Sequence, residues 1–263
     1  MDLKLKDKRA LVTGSSRGLG FATALALAKE GCRVAVNGRD EAKIESVAET
    51  MSKDTGAQVI GLAGDVSLVD MPEKLVNAAA ESFGGLDILI TNAGGPQPGS
   101  IDTLDEAAWQ KGIDLCLMIH VRLIKAALPY LRKSDSASVL TITSLSVKQP
   151  IANLLLSNSI RSATIGLTKS LALEHGREGI RFNSILPGWT QTEHAVDLIA
   201  KRAVRNNSTL EEEMRKQKEM SSLGRLGQPE EFANAAAFLV SPAASYISGV
   251  MLNVDGGSYK GTL

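Results

Sequence analysis

The chain has 263 residues, 44% of them hydrophobic and 22% charged, enough to bury one sizeable core. Its 29 Lys and Arg residues balance 29 Asp and Glu, which speaks against nucleic acid as the main partner, because phosphates demand a basic excess. No apolar run reaches membrane-spanning length, and the charged start MDLKLKDKR lacks the apolar core of a signal peptide, so a cytoplasmic protein with no membrane partner is expected.

Strands and helices alternate from end to end. RALVTG is a short apolar run stopped by glycine, and GLGFATALALAKEG then shows helical periodicity with its own glycine stop. CRVAVNG reads as a second strand and DEAKIESVAETMSK as a second helix that Asp40 can cap. AQVIGLAGD, LDILITNAG, ASVLTITS and IRFNSILPG are further apolar runs ending in small or turn residues, with helical stretches between them. Strands this apolar on both sides suit a parallel sheet covered by helices on both faces, an α/β architecture. The chain shows no linker and is read as one domain over 1–263. Only residues 190–225 stand apart, charged and helical, as a lid-like insertion in which Ser208 and Glu211 have the spacing of a capping box. Cys32 and Cys116 lack metal-ligand spacing, and no cluster of His, Cys and carboxylates makes a metal site.

Between the first strand and first helix lies TGSSRGLG, residues 13–20. Its glycines permit a tight turn and close backbone approach, and the helix start behind it favours a phosphate. Gly14, Ser16, Arg17, Gly18, Leu19 and Gly20 are therefore candidate dinucleotide contacts. The acidic residue that selects NAD is expected about twenty positions on. Gly38 stands there instead, followed by Arg39. A carboxylate would repel a 2′-phosphate whereas a guanidinium pairs with it, so NADP is the expected cofactor, with Arg17 able to approach the same phosphate.

TGSSRGLG, GDVS (64–67), TNAGG (91–95), PGWTQT (187–192) and VDGG (254–257), in this order across almost the whole chain, resemble the short-chain dehydrogenase/reductase family. The resemblance implies a doubly wound, three-layer Rossmann fold with seven strands in order 3-2-1-4-5-6-7, and a homo-oligomer, a tetramer. It implies that Asp65 and Val66 contact adenine, that Asn92, Ala93 and Gly94 run beside the cofactor, and that Pro187, Gly188, Thr190 and Thr192 meet its nicotinamide end.

The family's usual catalytic set is a serine after the fifth strand, Tyr-x-x-x-Lys at the start of the next long helix, and an asparagine on the preceding helix. Here TITS supplies Ser144, but Ser157 stands in the tyrosine's place, Arg161 in the lysine's and Cys116 in the asparagine's. A serine hydroxyl lies roughly 4 Å closer to the backbone than a tyrosine's. Ser157 would thus reach a substrate only through a water. Arginine can bind ribose hydroxyls but stays charged. Lys148 and His194 are the other proton-donor candidates, each weighed against a surface role. Cys116 and His120, one helical turn apart, read as core rather than as a nucleophile pair. His175 closes a helix and suits its dipole.

Two functions fit these residues. One is an NADP-dependent oxidoreductase that moves hydride to or from a carbonyl or alcohol, acting on a partly apolar small molecule through Ser144, Ser157 and Arg161. The other is a non-catalytic NADP-binding protein, a sensor or assembly partner. Turnover of a carbonyl and alcohol panel separates them.

Overall fold

The structure, a computed structural model, describes residues 1–262. Strands β1 (Arg9–Val12), β2 (Arg33–Gly38), β3 (Val59–Ala63), β4 (Ile88–Thr91), β5 (Ser138–Ile142), β6 (Arg181–Pro187) and β7 (Met251–Val254) form one parallel sheet in the order β3-β2-β1-β4-β5-β6-β7. Helices α1 (Gly18–Lys29), α2 (Glu41–Thr55) and α3 (Met71–Phe83) fill the first half. In the second half, α4 (Glu106–Ile113) runs through a π-helical turn, Asp114–Met118, into α5 (Ile119–Leu131), and α6 (Leu155–His175) follows. The last three are α7 (Glu193–Asn206), α8 (Leu210–Met220) and α9 (Pro229–Val240). The expected fold and strand order are both present.

The sheet's two faces explain its apolar strands. Val12, Val34, Val36, Ile88 and Ile90 turn to one side, against Leu27 of α1, Ile44 of α2 and Phe232 of α9. Their neighbours Leu11, Ala35 and Leu89 turn to the other, against Val76 of α3 and Leu123 of α5. Side chains alternate faces along a strand, so covering both faces requires apolar residues at every position.

Asp40 caps α2 as expected, accepting from the Lys43 amide. The capping box in the 190–225 segment falls one residue later than the sequence suggested: Thr209 and Glu212 form it, not Ser208 and Glu211. The sequence holds two overlapping frames, and buried Glu213 decides between them. Its carboxylate accepts from the Ser208 hydroxyl, Asn206 and Lys216, so Ser208 is drawn away from the helix start. The long helix α6 begins at Leu155, two residues before Ser157, and carries Leu156 into the core.

At the amino edge of the sheet, Asp87 is 3% exposed and ties three elements together. It accepts from the Arg9 amide and both ends of the Arg9 guanidinium fork, and from the Ser134 hydroxyl at 2.6 Å. Burial alone would raise its pKa, but the hydrogen bonds from Arg9 and Ser134 and the Arg9 charge together hold it below the usual carboxylate value. A depressed carboxylate stabilises the fold above its unfolded pKa, and that contribution fades as pH falls through the folded value. Asp87→Asn should cost about 3 kcal/mol in urea unfolding at neutral pH, since it leaves Arg9 without its counter-ion. The difference from the parent should shrink in acid.

Candidate functional site

The loops at the carboxyl edge of the sheet bring the sequence motifs together. Gly14, with φ of +57°, turns the chain out of β1, and its carbonyl accepts from the Asn92 side-chain amide at 2.9 Å. Thr13 and Asn92 lock the same junction, the Thr13 hydroxyl donating to the Asn92 carbonyl and accepting from its amide. A Cβ at position 20 would lie 2.4 Å from the Gly14 carbonyl oxygen, so only glycine lets α1 start this close to the turn. Asn92 thus holds the phosphate turn in shape. Asn37, buried at the end of β2, does the same from the other side and was missed by sequence reasoning. Its Oδ1 accepts from Gly14 N, and its Nδ2 donates to the Leu62 and Gly64 carbonyls. The available signal was an asparagine inside an otherwise apolar strand.

Beyond this turn, a Cβ at Gly38 would meet the Ser16 Cβ at 3.1 Å and Ile44 Cδ1 at 3.4 Å, so an acidic side chain there would be crowded. Arg39 is exposed and makes no ion pair or hydrogen bond among the described residues. Its charge reaches Asp65. Burial raises that carboxyl's pKa, but two hydrogen bonds from Ser67, with Arg39, bring it below the usual value. Val66 is buried and packs with Ala93 beside Ile119. Arg17 instead reaches across to Glu193 at the start of α7, an exposed pair at 3.2 Å whose contribution is small. Thr192 caps α7 and lies against Gly18. Leu19, in the first turn of α1, packs on the core, and Gly94 is open to solvent. Pro187 ends β6 opposite Val254, and Gly188 passes so close to Asp255 that a Cβ there would clash. Thr190 is buried, with its hydroxyl on the Gly188 carbonyl.

Ser144, two residues beyond β5, opens a 3-10 turn, Leu145–Val147. Its Oγ accepts from the Ser146 amide at 3.1 Å, while its own proton has no acceptor among the described residues. The Ser146 hydroxyl meets that of Ser157 at 3.0 Å, and both are buried. Ser146 thus links the two sites, its amide holding Ser144 and its hydroxyl meeting Ser157, and it was not foreseen. Asn158 clamps both polar groups of Ile151, which fixes the loop before α6. Arg161 is 8% exposed and donates from Nη1 to the Ile142 carbonyl at 3.3 Å.

Cys116 and His120 are core residues. Burial raises the Cys116 pKa against an opposing pull from Arg161. The carbonyl of Cys116, freed by the π turn, accepts from the Thr164 hydroxyl. His120 Nδ1 meets Thr91 Oγ1 at 2.8 Å, and burial with the Arg161 charge pushes its pKa down to about 3. Lys148 stands over the Tyr259 ring at 5.5 Å instead of extending into solvent. His175 closes α6 and pairs with Glu178. His194, in the first turn of α7, brings Nε2 within 3.5 Å of where a Cβ on Gly95 would be. Among the described residues no group of three metal-ligating side chains occurs.

The model of the family described as enoyl-(acyl carrier protein) reductase matches residues 14–259. The chain is 34% identical over 255 residues to Dehydrogenase/reductase SDR family member 4 of Homo sapiens, covering 97% of this chain and 88% of that one. It is 32% identical to the 3-oxoacyl-acyl-carrier-protein reductase FabG of Chlamydia trachomatis, covering 96% and 98%. Among solved structures, L-sorbose reductase from Gluconobacter frateurii, complexed with NADPH and L-sorbose, superposes with a TM-score of 0.94 at 30% identity, covering 99% and 100%.

His120 should stay neutral across the working pH range. The unfolded chain takes up this proton near 6.5 and the folded chain only near 3, so its burden on stability is absent above 6.5 and grows as pH falls between the two. In an NMR titration its ring should keep the neutral signature while His194 titrates, and His120→Gln should flatten the acid slope of stability. A His120 that protonates near 6.5 would contradict the core reading.

Proposed function

Because the chain belongs to the short-chain dehydrogenase/reductase family, whose members here are oxidoreductases, we propose that it is an NADP(H)-dependent oxidoreductase acting on a carbonyl or alcohol. One observation carries the cofactor choice: Arg39 is free and exposed beside Gly38, where an NAD-selecting acid would be crowded by Ser16. NADPH, when bound, supplies the hydride. The turn from Gly14 to Gly20, with Ser16, Gly18 and Leu19, receives the pyrophosphate at the start of α1. Arg39 receives the 2′-phosphate, and Arg17 joins it by leaving the weak pair with Glu193. Asp65 and Val66 border the adenine, and Asn92, Ala93 and Gly94 line the path beyond it. Pro187, Gly188 and Thr192 border the nicotinamide end. Thr190 is expected there too, but its buried hydroxyl serves the loop.

At the reacting end, the unpaired Ser144 proton points to a hydrogen bond with the substrate oxygen, where charge develops. Ser157 is too short for direct contact, and its hydroxyl is bonded to Ser146. The pair orders a water as proton source. Arg161 places the nicotinamide ribose. Residues 190–225, as α7 and α8, serve as the lid of this single domain. The exposed face of α6, with Ser162, Ala163, Gly166, Ser170 and Leu173, supports assembly into a homotetramer. Among the described residues no helix is long and apolar enough to cross a membrane, and the proposal places the protein in the cytoplasm.

Arg39→Ala should weaken NADP binding about 10- to 100-fold, the worth of one charge-assisted hydrogen bond, and leave NAD nearly unchanged. Equal affinity of the parent protein for both cofactors would overturn the assignment.

Ser144→Ala should lower turnover of a carbonyl substrate about 10²- to 10³-fold with NADP affinity kept. Ser157→Ala should lose less, because water can replace its hydroxyl. If NADP binds tightly and no carbonyl or alcohol is turned over, the non-catalytic reading replaces the enzymatic one.

A further inference from the structure

Arg161 is a nearly buried cation with no ion pair among the described residues. Three other inward-facing arginines have more compensation. Arg9 pairs with Asp87, Arg122 with Asp114, and Arg181 donates to three carbonyls, those of Leu239, Ser241 and Ile247. Arg161 has a single recorded acceptor, the Ile142 carbonyl at 3.3 Å. Desolvating a guanidinium is expensive unless an anion or several acceptors face it. A ribose hydroxyl from the cofactor would add a hydrogen bond but no negative charge.

The surroundings deepen the imbalance. Groups facing His194 are Arg17, Lys201 and Arg161, with Asp197 alone opposing them. Burial and these cations together lower its pKa, which weakens its hold on a second proton. His194 feels the Arg161 charge, and its Nε2 lies 3.5 Å from where a Cβ on Gly95 would be. Arg161 is anchored on the Ile142 carbonyl at the end of β5, two residues before Ser144. An anchor this near Ser144 along the chain suits a substrate that carries an acid group close to its carbonyl.

We propose that the substrate is an oxo acid or the corresponding hydroxy acid, whose carboxylate is received by the Arg161 fork with His194 closing over it from α7. The short side chain at Ser157 is what lets the carboxylate approach, since a tyrosine ring in that place would stand between substrate and residue 161. Five N–H donors allow Arg161 to keep Ile142, meet a ribose hydroxyl and still present two parallel donors to a carboxylate. This rests on the reading of the cleft as a carbonyl site, and the test separates the two.

Benzoylformate and its methyl ester share a skeleton and differ in charge. Their binding is measured by calorimetry, with and without NADP⁺, so that no turnover is needed. Benzoylformate should bind about 10- to 100-fold more tightly than the ester. Arg161→Gln should bring the two together, and Arg161→Lys, which keeps charge but not the fork, should retain a reduced preference. By NMR, benzoylformate should raise the His194 pKa, because a nearby carboxylate favours the imidazolium, and the ester should leave it in place. Equal binding of acid and ester, or a preference that survives in Arg161→Gln, overturns the proposal. Reduction of the ester by NADPH with no preference for the acid overturns it while sparing the oxidoreductase reading. Preferential binding of the acid with no NADPH oxidation by either compound does the reverse.

Discussion

Parallel strands cannot be joined by hairpins, and that constraint governs the rest of this molecule. Every strand leaves the sheet at the same carboxyl edge, so the β-to-α turns crowd together there, and their backbone polar groups need partners that no ladder supplies. Asn92, Asn37, Thr13 and Ser15 are those partners. Residues from four strands thereby become one rigid rim. The Gly14–Gly20 turn is one part of it, held through Asn37 and Asn92 to segments far from it along the chain.

The two edges of the sheet treat buried charge in opposite ways. At the amino edge Arg9 and Asp87 neutralise one another and stitch β1, β4 and the loop before β5, a structural use of charge. At the carboxyl edge Arg161 has no carboxylate partner among the described residues, and its charge pulls down the pKa values of Cys116, His120 and His194. A guanidinium desolvated in this way costs free energy that a bound anion would return.

On the proposed reading, Ser157 and Arg161 standing in the places of the family's tyrosine and lysine would change more than proton chemistry. The Ser157 hydroxyl turns to that of Ser146, whose amide in turn holds Ser144. Lys148, the nearest other amine in sequence, is occupied by the face of Tyr259, and Gln149 holds the Lys260 amide, so the segment after β7 braces this loop.

Much of this was legible in the sequence. Apolar runs with no polar alternation signalled strands covered on both faces, because side-chain period and burial are local properties. The five motifs carried the strand order, and Gly38 with Arg39 carried the cofactor expectation. The capping frame at Thr209 was not legible, since Ser208 and Thr209 offer equal local geometry and only buried Glu213 breaks the tie. Nor were Asn37 and Ser146, because a single polar residue in a strand or loop has no period to reveal its partner. The sequence by itself determined which groups are available: glycines for the turn after β1, a guanidinium beside Gly38 with no acid there, and Ser157 and Arg161 near the start of α6. Only the tertiary structure decided that Ser157 bonds Ser146, that Arg161 has no counter-ion among the described residues and that His194 overhangs Gly95. Those facts depend on the distance between residues far apart along the chain, and the packing of seven strands and their crossovers sets that distance.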